Sequence, residues 1–304
     1  MEAGARSARL RSLTISPAAF EWFAWAAFAA LFLIVVSGAT VRLTGSGLGC
    51  ENWPSCGDTF LPPKDYNAYV EFGNRVAGFV VGLTTLAAAA AAFRVPGLPR
   101  WLLWCAVALP FTVLAQGILG GITVMLELHP LIVAGHYLLS LVALGVVVAV
   151  VQGARDLARG AAAEGPLAAS WLALALVPAA AALVVSGTLV TAAGPHSGGE
   201  EIIRFGNLVE AVHIHIGATA VFGILFLGLL GLLLAERRRA QVELQLAGAA
   251  LGLLLVQMAV GEIQWREALP WGLVLLHVTL ATAVWVAVAW LAVRIVLRSR
   301  ARLP

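Results

Sequence analysis

Apolar residues run along this chain in blocks of about twenty, not in the narrow stripes of soluble amphipathic helices. Eight blocks stand out, at about 20–42, 70–93, 101–122, 130–152, 167–190, 205–234, 243–262 and 270–294. Each is long enough to cross a bilayer. A segment in lipid must satisfy its own backbone, so each block predicts a helix. Continuous Ala, Leu, Val and Gly exclude the alternation of a membrane barrel. The pattern predicts an all-α membrane protein with eight transmembrane helices.

Two stretches repeat. Gln116–Ser140 reads QGILGGITVMLELHPLIVAGHYLLS, and Gln257–Thr282 reads QMAVGEIQWREALPWGLVLLHVTLAT. A shift of 141 lays Gln116 on Gln257, Gly120 on Gly261 and His136 on His277. Both read as helix, short turn, Pro, then a helix with one histidine inside the lipid. Ser37-Gly38 and Ser186-Gly187 each lead into a Gly-rich loop. The halves therefore predict two pseudosymmetric four-helix bundles related by an axis along the membrane normal. Residues 20–152 form the first and 167–294 the second. A tail (1–19), a linker (153–166) and a second tail (295–304) complete the chain.

Composition agrees: 61% of 304 residues are hydrophobic and 12% are charged, and the mean hydropathy is +0.93. The net charge of +3 is no signal for nucleic acid, because its arginines cluster at helix ends. With the N-terminus inside, fourteen basic residues fall on inner segments and five on outer ones. That bias makes both termini cytoplasmic and puts the long loop 43–69 on the outer face of a cell membrane.

His136, His213, His277 and Asn74 all fall roughly 6–12 Å below the outer helix ends. Intramembrane histidines are rare and face bundle interiors. Two at one depth suit the axial positions of a heme iron; a hydrogen bond to a neighbouring helix is the plainer use. His213 and His215 compete for one place. The 141 shift pairs Asn74 with His215, whereas Glu210-x-x-His213, like Glu71-x-x-Asn74, favours His213; so does its spacing to Gly217. We take His213 as the ligand and His215 as a packing residue. Glu71 shares a helix face with Asn74. It is either a proton acceptor or donor or an interfacial partner of Arg75. Arg42 and Arg75 are either anchors for anionic propionates or simple interfacial anchors. Cys50 and Cys56, in GCENWPSCGD, suit a disulfide on an oxidising face, as a staple or as a redox pair. His196 reads as solvated.

Together these motifs resemble the heme A synthase family. They are SGATVRLTGSGLGC with WPSC, EFGNR, the fourth-span QGxLGGxTVxxxLxPxxVxxHxxLS, VTAAGPHSGG, His213-x-x-x-Gly217 and Leu276-His277. The resemblance spans nearly the whole chain. It implies oxidation of a methyl substituent of heme O to a formyl group, giving heme A for terminal oxidases. Two hydroxylations with water-derived oxygen are implied. His213 and His277 would ligate a heme b, and His136 the substrate or product heme. Glu71 would be catalytic, and Cys50 and Cys56 would be the family's loop pair. Heme O synthase and an electron acceptor are the protein partners it leaves room for, in membrane lipid, and an oligomer is compatible. Asn74 departs from the histidine found in many members. A di-heme electron-transfer cytochrome is the alternative, and a transporter of parallel repeats a third reading.

Overall fold

The computed structural model describes residues 14–50, 52–57, 61–161, 164–165, 167–196 and 204–300. Parts of both expected tails (1–13 and 301–304) and residues 197–203 of the Gly-rich loop lie outside it. Among the described residues eight helices follow one another: α1 (Pro17–Leu43), α2 (Tyr66–Ala92), α3 (Arg100–Met125), α4 (Pro130–Ala158), α5 (Ser170–Ala193), α6 (Leu208–Ala235), α7 (Gln241–Arg266) and α8 (Trp271–Arg300). All eight are long and apolar enough to cross a membrane, and no strand occurs among the described residues. This is a multi-pass, all-helical membrane protein. The helices outrun their apolar blocks. α4 takes in residues 153–158 of the expected linker, and α8 runs to Arg300 through much of the expected tail. Apolar length measures lipid, and a helix continues into water wherever its backbone bonds do.

Local chemistry sets several helix starts. Ser16 Oγ accepts from Ala19 N at 3.2 Å, and Pro17 follows it at the first helical position. Asp65 accepts from Ala68 N at 3.0 Å, and Asn207 from Val209 N and Glu210 N at 2.9 and 3.2 Å. Each satisfies amides that a helix start leaves unpaired.

In the first half α1 packs on α2 and α4, and α3 joins α2 to α4. In the second, α5 packs on α6 and α8, α7 packs on α8, and α6 meets α7 lightly. The halves join along α4 and α8, with α1 against α8 and α4 against α5. Small residues let these backbones approach, as lipid-embedded packing requires: Ala24 and Ala27 on α1, and Ala88 and Ala91 on α2, are all buried. Leu144, Val147 and Val151 of α4 and Leu291 and Ile295 of α8 are buried in the one apolar core that spans the seam. Polar bonds cross it too. Trp285 Nε1 donates to Leu141 O at 2.8 Å, Gln152 Nε2 donates to Trp290 O at 2.5 Å, and the Tyr137 and Thr282 hydroxyls lie 3.3 Å apart.

The turns α3–α4 and α7–α8 are copies. Glu127 and Leu128 have φ of 50° and 59°, and Ala268 and Leu269 have 58° and 61°. Leu128 N bonds Thr123 O at 2.9 Å, and Leu269 N bonds Gln264 O at 2.7 Å. Left-handed backbone costs a non-glycine residue about 1–2 kcal/mol, so both halves carry the same strain at the same place.

At the opposite end, which we call the tail end, an ion cluster ties the linker to α7 and α8. Glu243 is fully buried. It accepts from Arg294 Nε at 3.0 Å and Arg298 Nη1 at 2.9 Å. Glu164 also pairs with Arg298, at 2.8 Å, and with Arg294. Removing one member of a buried ion group leaves the others uncompensated. Glu243→Ala should therefore destabilise the protein by about 3 kcal/mol, read as a lower thermal midpoint in detergent; an unchanged midpoint would contradict this role.

Candidate functional site

The four helix pairs bring polar groups to one layer, each about two turns from the end of the bundle where residues 44–50, 52–57, 61–65, 194–196 and 204–207 lie. In the second half α6 carries His215 and α8 carries His277. Their rings face one another with centroids 6.5 Å apart and planes at 72°. His215 Nδ1 lies 2.9 Å from Ser186 Oγ of α5, and His277 Nε2 lies 3.1 Å from Gln257 Nε2 of α7. Both rings rest against glycine. A Cβ on Gly187 would stand 3.2 Å from His215 Cε1, and one on Gly261 would stand 3.0 Å from His277 Cε1. Either contact would force the ring to move.

Of the two α6 histidines, His215 and not the expected His213 lies beside His277. His213 is exposed, and His215 takes the place opposite His277. Two residues turn a helix by about 200°, so only one of the pair can face inward. His215 is the residue that the 141 shift pairs with Asn74; in the other spacing Glu71 serves the loop, as described below, and Asn74 bonds Ser37.

The first half repeats the arrangement with other side chains. Ser37 Oγ of α1 donates to Asn74 Oδ1 of α2 at 2.9 Å, as Ser186 meets His215. A Cβ on Gly120 of α3 would lie 3.4 Å from His136 Cε1 of α4, as Gly261 meets His277. Gln116, the counterpart of Gln257, donates instead to His136 O at 3.1 Å and Ser140 Oγ at 2.6 Å. In both halves the histidine Nδ1 and the glutamine Oε1 are buried without a hydrogen-bond partner. Ser37, Ser186, Gln116, Gln257 and the contact glycines were not singled out as site residues from sequence, although the repeat contains them.

Above this layer sits the cysteine loop. Cys50 and Cys56 are bridged, their Cα atoms 4.6 Å apart, and both are buried. Glu71 is 5% exposed. Its Oε2 accepts from Cys50 N at 2.9 Å and its Oε1 from Arg75 Nη2 at 2.5 Å. Arg75 Nη1 in turn donates to the carbonyls of Asn52, Pro54 and Ser55 at 2.7, 3.1 and 2.5 Å. Of the two readings open for Glu71, the structure contains the Arg75 pair. In this structure Arg75 Nη1 is taken up by the loop carbonyls and Nη2 by Glu71. Gly49 packs on the backbone at Asn67, Ser46 Oγ donates to Asn67 Oδ1 at 2.9 Å, and the Trp53 indole lies over Gly121, where a Cβ would be 2.9 Å from it. Trp53 thus covers α3 one residue from the glycine that touches His136. Arg42 ends α1 with its Nε buried and without a hydrogen-bond partner. His196 is half-buried, and its Nε2 meets Leu269 O of the α7–α8 turn at 2.7 Å.

Residues 21–289 match a family model described as cytochrome oxidase assembly protein, COX15-CtaA. The chain belongs to this family. Among curated relatives it is similar to the heme A synthase of Symbiobacterium thermophilum, 39% identical over 132 residues, 42% of this chain and 43% of that one. It is also similar to the heme A synthase of Lysinibacillus sphaericus, 32% identical over 129 residues, 42% of either chain. A protoheme IX farnesyltransferase of Halobacterium salinarum is 35% identical over 69 residues, 23% of this chain and 15% of that one. The matched segments span about two fifths of the length of the two synthases.

For this family the relevant question is whether the layer fits a heme. Among the described residues no three His, Cys, Asp or Glu gather as a metal-ion site, so a closed zinc site lacks its ligands. Two imidazoles do face each other in the second half. Metal–imidazole bonds of about 2 Å on either side of one ion would put the ring centroids about 6 Å apart, which the 6.5 Å separation meets. The orphaned Nδ1 of His277 and the glycine cradles fit the same use.

The loop docking has its own test. Arg75→Ala removes all three carbonyl bonds and one Glu71 bond. Hydrogen exchange of the 50–57 peptide should rise about tenfold while exchange in α6–α8 stays as it was. Equal protection in the variant would show that Arg75 does not hold the loop.

Proposed function

We propose that this protein is a heme A synthase, oxidising the methyl substituent of heme O to a formyl group in its first half while its second half holds a resident heme b. One observation supports this best: the same layer carries two imidazoles, His215 and His277, in one half, and His136 with an amide, Asn74, in the other. A low-spin electron relay wants two strong ligands per heme, and asparagine is a poor one. That asymmetry sets a substrate site beside a resident site and disfavours a di-heme cytochrome.

In this reading the helices form two pseudosymmetric bundles, 20–152 and 167–294, and the tail end is cytoplasmic with the disulfide loop outside. His215 and His277 hold heme b, which supplies a redox centre when bound. His136 binds the iron of heme O, and Asn74, fixed by Ser37, stands where a second imidazole would. Arg42 offers an unpaired guanidinium to a propionate. Trp53 and the disulfide loop cover the site and limit access of bulk water.

The chemistry balances. A methyl group plus one water gives a formyl group, four electrons and four protons. Two hydroxylations reach the hydrated aldehyde, which then loses water. The electrons leave to an acceptor. Glu71 is the acid of this half and our candidate catalytic residue. Each of its oxygens accepts one hydrogen bond, from Cys50 N–H and from Arg75, and keeps a second lone pair on which a proton can be taken up. Its first service is to hold the loop in place.

Co-expression with a heme O source followed by pigment extraction tests the proposal. Heme A should appear with the natural chain and disappear with His136→Ala, while heme b remains bound. Unconverted heme O with the natural chain would overturn it.

A further inference from the structure

The paired glutamines do not do the same thing, and the difference traces to one hydroxyl. Gln257 Nε2 reaches the His277 ring at Nε2, 3.1 Å away. Gln116 occupies the same register on α3, yet its amide is drawn to Ser140 Oγ at 2.6 Å and to His136 O at 3.1 Å. Ser140 lies one turn beyond His136 and itself donates to His136 O at 3.1 Å. The matching position in the second half is Ala281, which has no acceptor to divert Gln257. Among the described residues nothing bonds the His136 ring, and its Nδ1 is buried without a partner. The backbones do not account for this contrast: the turns are copies, and Gly120 and Gly261 both touch the imidazole.

A half-turn of the Gln257 amide puts its orphaned Oε1 in place of Nε2, where it accepts from the Nε2–H of a His277 that ligates through Nδ1; such a bond to the far nitrogen fixes the ring and raises its basicity, and losing one typically costs 10–100-fold in metal affinity. We propose that Ser140 is a positioning residue that withholds Gln116 from the His136 ring, so that the first half binds its heme exchangeably, while Ala281 leaves Gln257 free to lock His277 and retain the heme of the second half. A substrate site must release its product, whereas a resident cofactor must stay. This inference rests on the reading that His136 and His277 each take a heme.

The test is heme transfer from the full-length protein, loaded in both halves, to excess apomyoglobin, followed by absorbance and read separately for the two hemes. Ser140→Ala should let Gln116 turn to the His136 ring and slow loss from the first half about tenfold or more. The second half should be unchanged and serves as the folding control. Ala281→Ser should divert Gln257 and speed loss from the second half by a similar factor. Gln116→Leu combined with Ser140→Ala should abolish the slowing, which a merely structural effect of the serine would not do. If both halves hold heme and the rates do not move, the proposal fails and the heme reading stands. If neither half takes up heme, both fail.

Discussion

A helix backbone can lie against a neighbouring imidazole only where it carries no side chain, and the site layer depends on that contact. Gly187 and Gly261 leave room for His215 and His277, whereas a Cβ on Gly120 would meet His136 at an ordinary 3.4 Å. A Cβ at 3.0–3.2 Å would push the second-half rings out of line. In lipid, helices associate through close packing and polar bonds more than through the hydrophobic effect. Small residues therefore serve twice here, bringing helices together and creating the slots that hold the rings. Serine or glutamine from the neighbouring helices completes the layer.

The disulfide loop depends on the first half of that layer. Glu71 and Arg75 use one turn of α2 to catch an amide and three carbonyls of the loop, and Trp53 lies across α3 at Gly121. The loop thereby gains partners for backbone groups that would otherwise lie unpaired at the membrane surface. At the tail end the cluster around Glu243 fixes the linker against α7 and α8, so both ends of the bundle are tied by charge while its middle is tied by packing.

The sequence showed the eight helices because lipid demands long apolar blocks, and it showed the depth of the site because depth follows from counting residues after a turn. The bridge between Cys50 and Cys56 was legible from their shared loop. Helix rotation was harder to read. His213 and His215 differ by about half a turn of facing, and the helix is apolar all round, so no amphipathic stripe marked its inner side. Only the internal repeat carried that information, through Asn74 and the shift of 141. The partners of Glu71 and Arg75 were illegible for another reason: they are backbone groups of a loop, and loop carbonyls leave no mark in composition.

A heme between α6 and α8 is what we propose the second half of this layer holds. The most direct measurement is the low-temperature absorbance and electron paramagnetic resonance of purified His215→Ala and His213→Ala variants. The low-spin bis-imidazole signal should vanish in His215→Ala and persist in His213→Ala. The opposite pattern, or a signal kept in both, would contradict it.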